Sequence, residues 1–285
     1  MSAPADGRYQ PVAHYENFPV ASWLCPPRLR QPIAAIYWFA RTADDIADEG
    51  NATMEQRLRD LETYGNDLAA CLAHNSGSSR WPGVFAALGH AIDEFRLPAA
   101  PLQALLDAFR QDVRKTRDGA GYADRDELLA YCRRSADPVG RLLLHLYGVH
   151  EPGALVQSDA ICSALQLINF WQDLSLDVPR GRYYLPADDC RRFGLDPAAP
   201  TTWAAHPRAP ALVCELCDWA RTLMRSGAPL VHRVPGRAGW ELRLVVQGGL
   251  RILDKIEALG FDTLHRRPKL APADALPMLW RSARM

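Results

Sequence analysis

Through almost the whole chain apolar side chains return every three or four positions, and no segment alternates apolar and polar residues in the manner of a half-buried strand. Such a chain must bury one stripe of each helix against other helices, so the fold class is all-α. Pro32 suits the first turn of a helix that runs through Ile33, Ile36, Tyr37 and Ala40 to Asp48 and ends near Gly50. Thr53 with Gln56 three residues on reads as a capping box opening a second helix, with Leu58, Leu61, Leu68 and Leu72 on its buried side. Further helices are expected over 82–95, 98–117 and 124–147; Asp124 with Glu127 caps the last, and Pro138 and Gly140 kink it. Ser158 opens a helix over 159–177 that Pro179 ends, and two more cover 208–226 and 237–259. The Pro-rich stretch from Asp196 to Pro210 reads as a surface loop within one domain, 1–285, of which residues 1–13 are expected to be flexible.

The 285 residues carry 33 Lys and Arg against 33 Asp and Glu, a formal net charge of zero, which argues against a nucleic-acid binder. The first twenty residues are polar and lack an apolar h-region, so a cytoplasmic protein is expected. The longest apolar run, Pro32 to Ala40, is about half of the ~20 residues a spanning helix needs. Seven cysteines are scattered through apolar segments and read as reduced, mostly buried thiols. Cys214 and Cys217 form a lone C-x-x-C with no second ligand pair nearby, a poor zinc candidate.

Chemistry concentrates in two acidic segments. In FARTADDIADEG, Asp44 and Asp48 share a helix face, with Asp45 between them and Glu49 following. Four carboxyl groups in six positions repel one another, and they sit at the helix end where the dipole disfavours negative charge, so something positive should compensate. One such cluster alone reads as a solvated acidic face. Yet it follows the very apolar PIAAIYWFA, and a second stripe repeats the pattern: Asn169, Asp173 and Asp177 at i, i+4, i+8, with Gln166 on about the same face among Leu165, Leu167, Ile168, Phe170 and Trp171. Rows of side-chain oxygens suit a hard cation such as Mg²⁺, which completes its shell with water and phosphate. Two acidic helices facing across a cavity would hold a diphosphate in that way, with two unrelated solvated faces as the alternative. A di-iron site would want Glu-x-x-His pairs, which the sequence lacks.

At these residues the sequence resembles the head-to-head prenyl synthases, the squalene and phytoene synthase family. The words ENFPVAS (16–22), FARTADDIADEG (39–50), YCRRSADPVG (131–140) and NFWQDLSLDVPRGRYYLP (169–186) lean towards its hydroxysqualene synthase branch, of bacterial hopanoid biosynthesis. The likeness runs from about residue 14 to 270. It implies the isoprenoid synthase fold, a helical bundle around a central cavity, with Mg²⁺ (or Mn²⁺) held by Asp44, Asp45 and Asp48 and by Asn169, Asp173 and Asp177. By matching position, Arg41 implies a diphosphate contact, Tyr131 and Gln166 cavity-lining polar groups, and Arg182 with Tyr183 a loop closing over the second motif. Each has a plainer alternative: Arg41 paired with Asp45 across one turn, Tyr131 an ordinary core tyrosine, Arg182 an exposed loop charge. Asn17 lies near a phosphate-contacting segment or caps a helix, and Arg267 and Lys269 either reach diphosphate or form a solvated basic tail.

Departures from the wider family bear on the branch. Gln172 stands where an arginine is frequent, Asp137 where glycine is common, and Phe170 with Trp171 replaces smaller aliphatic residues. Asp137 either helps a kink next to Pro138 or holds the water of the reaction. The resemblance implies a lyase that ionises presqualene diphosphate and captures water to give hydroxysqualene, with condensation of two prenyl diphosphates as the alternative reaction and a non-catalytic prenyl-lipid binder as a remote one. Trp38, Phe39, Phe170 and Trp171 are candidate cation-facing aromatics, with plain core packing as their alternative. No NADPH is expected. Expected partners are a prenyl diphosphate substrate, an upstream presqualene diphosphate synthase, a downstream reductase, and peripheral contact with the inner face of the membrane.

Overall fold

The computed structural model describes residues 25–75 and 77–285, and among them it contains eleven α-helices, four short 3-10 segments and no strand. In chain order the helices are α1 (Pro27–Asp48), α2 (Met54–Leu72), α3 (Pro82–Phe95), α4 (Ala99–Asp118), α5 (Arg125–Ser135), α6 (Asp137–Leu146), α7 (Pro152–Asp177), α8 (Ala187–Arg192), α9 (Ala209–Gly227), α10 (Gly236–Ala258) and α11 (Ala275–Ser282). The expected caps form: Thr53 accepts from the Gln56 amide at 3.2 Å and Asp124 from the Glu127 amide at 2.8 Å.

Several boundaries differ from the sequence reading, each for a physical reason. Helix α1 begins at Pro27, not Pro32; Pro27 already supplies the fixed φ of a first turn, and Pro32 lies inside the helix. Ser158 is no cap, because α7 starts six residues earlier at Pro152 and buries Ser158 in its interior. The segment 124–147 is two helices rather than one kinked helix, parted at Ala136 (φ −120°, ψ −50°) because Pro138 has no N–H to close onto the preceding turn. Helices α8 and α11 were not foreseen, being too short to show a full apolar period. The Pro-rich stretch carries a 3-10 turn, Pro200–Ala205, anchored by the fully buried Trp203.

Two hydrophobic cores organise the bundle. One is built on α1 to α4 around Phe39, Leu61, Tyr64, Phe85, Leu88 and Leu102. The other surrounds α7, with Trp171, Leu212, Leu216, Met224 and Leu253. They meet along α4 and α6, whose opposite sides contribute to different cores: Leu105 and Ala108, Leu142 and Leu144. Close approach to α7 requires glycine at 227, where a Cβ would lie 2.5 Å from the Gln157 carbonyl oxygen. The first acidic segment thus ends a helix of one core and the second ends a helix of the other, so both lie at the seam.

The positive compensation demanded by the acidic end of α1 is present in Arg57. Its guanidinium, on a residue only 6% exposed, donates to the carbonyls of Ile46 (3.0 Å), Glu49 (2.9 Å) and Gly50 (2.9 Å), the groups a helix end leaves unsatisfied. Arg57→Ala is therefore expected to destabilise the fold by on the order of 2–4 kcal/mol, by stranding buried carbonyls. Chemical denaturation measures it, and an unchanged midpoint would remove this role from Arg57.

Candidate active site

The last two turns of α1 carry Arg41, Asp44, Asp45 and Asp48 at the seam. The Arg41 guanidinium lies 2.9 Å from Asp45 and 3.4 Å from Asp44, so the plain one-turn pairing forms, with Asp44 drawn in as well. Asp48 is paired by Arg182, which reaches across from the loop that follows α7. Arg182 is therefore no exposed loop charge; it bridges the two acidic helices.

On α7, Gln166, Asn169, Asp173 and Asp177 descend one stripe towards the same opening. Asp173 accepts a two-pronged contact from Arg267, with Nη2 to Oδ2 at 3.1 Å. Its segment is laid along α7 by two more bonds, from Gln172 Nε2 to the Pro268 carbonyl (2.8 Å) and from the Ser175 amide to the Thr263 carbonyl (3.0 Å). Arg267 is exposed but is held by Asp173, and Lys269, two residues on, is exposed as well. Asp177 is buried, and burial pushes its carboxyl up to about 7; the nearby Arg182 opposes this, and Asp173 and Asp48 add to it.

A third carboxylate, Asp112 of α4, was missed by the sequence reading. Tyr131 on α5 donates its hydroxyl to Asp112. The residue keeps some accessible surface, yet its carboxyl lies deep among protein atoms, and burial raises it to about 7, with a further push from Asp48 and Asp44 against the pull of Tyr131 and Arg182. One signal was available. Leu105, Ala108 and Phe109 place position 112 on the buried stripe of its helix, where an acid is out of pattern. Tyr131 is a buried tyrosine whose hydroxyl is bound to a carboxylate of the seam. Its ring joins Tyr122, Phe170 and Tyr184 in an aromatic cluster, in which Phe170 stacks on Tyr184 at 3.7 Å.

The other candidates fall as follows. Gln166 and Asn169 are half-buried on the α7 stripe. Tyr183 packs edge-on against Trp203, with ring centroids 6.0 Å apart, and so anchors the loop carrying Arg182. Trp171 is wholly buried in the α7 core and Phe39 in the α1 core against Tyr64 and Phe85, which is the packing alternative; Trp38 is half-buried. Asn17 lies outside the described residues, as do residues 1–13. Cys214 and Cys217 both sit on α9, and burial raises both thiols, which disfavours thiolate.

Asp137 opens α6 and is nearly fully buried, accepting a hydrogen bond from Ser163 Oγ at 2.8 Å. Burial pushes it up to about 7. From about pH 4, where an unfolded aspartate titrates, to about 7, the native state keeps a proton the unfolded chain has lost, so stability falls as pH rises across that window. Asp137→Asn removes this contribution. Relative to the parent, the variant is expected to gain on the order of 2 kcal/mol between pH 5 and pH 8 in urea denaturation, and parallel pH dependences would refute the assignment.

Away from the acidic end, α1, α6, α7 and α10 enclose an apolar cavity of about 720 Å³ including its mouth, lined by Ile33, Leu143, Leu144, Ile161, Leu165 and Leu242 among others. Along α1 its lining residue Ile33 is about 16 Å from Asp44, at 1.5 Å rise per residue. The charged seam and the apolar cavity thus lie at opposite ends of the same stretch of α1.

Among the described residues no three carboxyl, imidazole or thiol groups converge into a closed metal cage. Mg²⁺ does not require one, since one or two carboxylates and substrate phosphates usually hold it. The donors at the seam are all oxygen, and carboxylates there raise one another's proton affinity, a repulsion a dication would relieve. The residues present fit a divalent cation.

The squalene/phytoene synthase profile matches residues 12–274. The chain belongs to the squalene/phytoene synthase family. Within it, the chain is 34% identical over 281 residues to a hydroxysqualene synthase of Sinorhizobium fredii, covering 97% of this chain and 90% of that one. It is 28% identical over 282 residues to a presqualene diphosphate synthase of Rhodopseudomonas palustris, covering 99% and 98%. A squalene synthase structure from Alicyclobacillus acidocaldarius superposes with a TM-score of 0.78 at 34% identity, over 87% of this chain and 90% of that one. The all-α isoprenoid synthase fold and the family expected from the acidic motifs are both shown.

Proposed function

We propose that this family member is a hydroxysqualene synthase that takes presqualene diphosphate and water to hydroxysqualene and diphosphate. The carrying observation is the pairing of ends: carboxylates of three helices and two bridging arginines at the seam, with an apolar cavity about 16 Å away along α1. The similarity to the hydroxysqualene synthase over nearly the whole chain supports the branch. In the reaction the bond between the cyclopropylmethyl carbon and the diphosphate oxygen breaks, the electron pair leaves with diphosphate, the cation rearranges with opening of the ring, and water adds with loss of its proton.

Arg41, Arg182 and Arg267 offer forked donors to the departing diphosphate, which is where negative charge develops. Asp44, Asp45, Asp48, Asn169, Asp173 and Asp177 are the groups to hold Mg²⁺ or Mn²⁺, which would supply charge neutralisation at the leaving group. Gln166 completes the polar rim in this reading, and Asn17, outside the described residues, is proposed as a further diphosphate contact. Faces of Phe170, Tyr184 and Tyr131 would stabilise the cation, the cavity would hold the hydrocarbon away from bulk water, and Asp137 is proposed to position the water. An upstream condensing enzyme and a downstream reductase follow from the substrate and product.

Incubation of the protein with presqualene diphosphate and Mg²⁺, without NADPH, is expected to yield hydroxysqualene and diphosphate in equal amounts. Squalene formed only on addition of NADPH would overturn the proposal. The second reading is presqualene diphosphate synthase, favoured by the relative that matches 99% of the chain. Release of a coupled C30 product from farnesyl diphosphate alone would establish it instead.

A further inference from the structure

Helix α11 turns an apolar stripe outward. Leu276, Leu279 and Trp280, at i, i+3 and i+4, are 77%, 51% and 58% exposed, while Met278 packs towards Gly248 of α10. Trp240 of α10, 48% exposed, extends the patch. Arg243 places it there: its guanidinium lies 5.0 Å from the Trp240 ring centroid and donates to the carbonyls of Ser282 (3.2 Å) and Met285 (2.7 Å) at the far end of α11. Arg284 stacks 3.6 Å over the Trp280 ring. Exposed tryptophans and leucines rimmed by guanidinium groups are the composition of a surface that enters the headgroup layer of a bilayer.

The charge distribution selects the partner. Residues 236–285 hold nine Lys and Arg against five Asp and Glu; with Arg267 offset by Asp173 of α7, a local excess of three positive charges remains in a chain whose total is zero. A two-fold contact between copies would set this excess against itself, whereas an anionic lipid surface complements it. Among the described residues no helix is long and apolar enough to cross a membrane, so the contact would be made from the surface. The same α10 lines the apolar cavity with Ala238, Glu241, Leu242 and Val245, which brings the patch beside the compartment for hydrocarbon.

We propose that α11 and the Trp240 edge of α10 form a docking face for an anionic lipid bilayer. The proposal stands independently of which prenyl diphosphate the enzyme uses. The full chain is sedimented with vesicles of phosphatidylcholine alone and of phosphatidylcholine mixed with phosphatidylglycerol. Binding is expected to the mixed vesicles, with a blue shift of tryptophan fluorescence and weakening as salt is raised. Leu276→Glu and Trp280→Glu are each expected to reduce the partition coefficient by about tenfold or more, with thermal unfolding unchanged because both side chains are exposed. Absence of binding to the anionic vesicles, equal binding by the parent and both variants, or a solution dimer that Leu276→Glu dissolves without any vesicle binding would overturn it.

Discussion

Alanine at position 173 is expected to lower Mg²⁺-dependent release of diphosphate by about 10²–10³-fold while leaving the bundle folded. Asp173 sits on the rim of the seam, engaged by Arg267 and outside both hydrophobic cores. Its loss removes one negative charge where a dication and diphosphate would be held, and it releases a guanidinium that then competes for the remaining carboxylates. The cost to stability should stay within about 1 kcal/mol, because a partly exposed ion pair contributes little to folding. Asp45→Ala is the informative contrast: Asp45 pairs with Arg41 on its own helix, so a smaller loss of turnover is expected there. Diphosphate release from presqualene diphosphate, read alongside a circular dichroism melt, separates the two effects. Unchanged turnover removes Asp173 from the site, and a collapsed melt moves its role to folding.

The acidic motifs were legible in the sequence because helical periodicity converts spacing directly into a shared face; Asp44 with Asp48 and Asn169 with Asp173 and Asp177 needed nothing more. What periodicity cannot convey is which helix of which core faces another. The bridging of the motifs by Arg182 and the return of Arg267 to Asp173 depend on loops whose course is set by distant contacts, such as Tyr183 on Trp203 and Gln172 on the Pro268 carbonyl. Arg57 was invisible for the same reason. The need for a cation at the end of α1 followed from the helix dipole, but the residue supplying it comes from the next helix, where a charged side chain reads as surface. The misplaced starts at Pro32 and Ser158 share one cause: either residue type is common near a helix start, and an earlier proline, Pro27 or Pro152, takes the first turn.

Asp112 tests whether the site extends to a third helix. Its carboxyl, raised to about 7 by burial and by neighbouring aspartates, accepts the Tyr131 hydroxyl and lies within the electrostatic reach of Arg182. Such a group exchanges a proton near neutrality, and it feels any change of charge on Asp48. Asp112→Ala is expected to reduce turnover by about 10–10²-fold, a range typical of losing one positioned acid–base or hydrogen-bonding group. Asp112→Asn keeps the size of the side chain and an acceptor for Tyr131 but cannot titrate. If the residue only anchors Tyr131, the asparagine variant retains the parent rate and the parent pH profile. Should its charge matter, Asn falls with Ala, and the inflection of the rate near pH 7 moves or disappears. Steady-state rates of both variants across pH 5.5–8.5, about 1.5 units either side of the carboxyl's value, decide between these outcomes, and parent rates in both would confine the site to the two helices the sequence already marked.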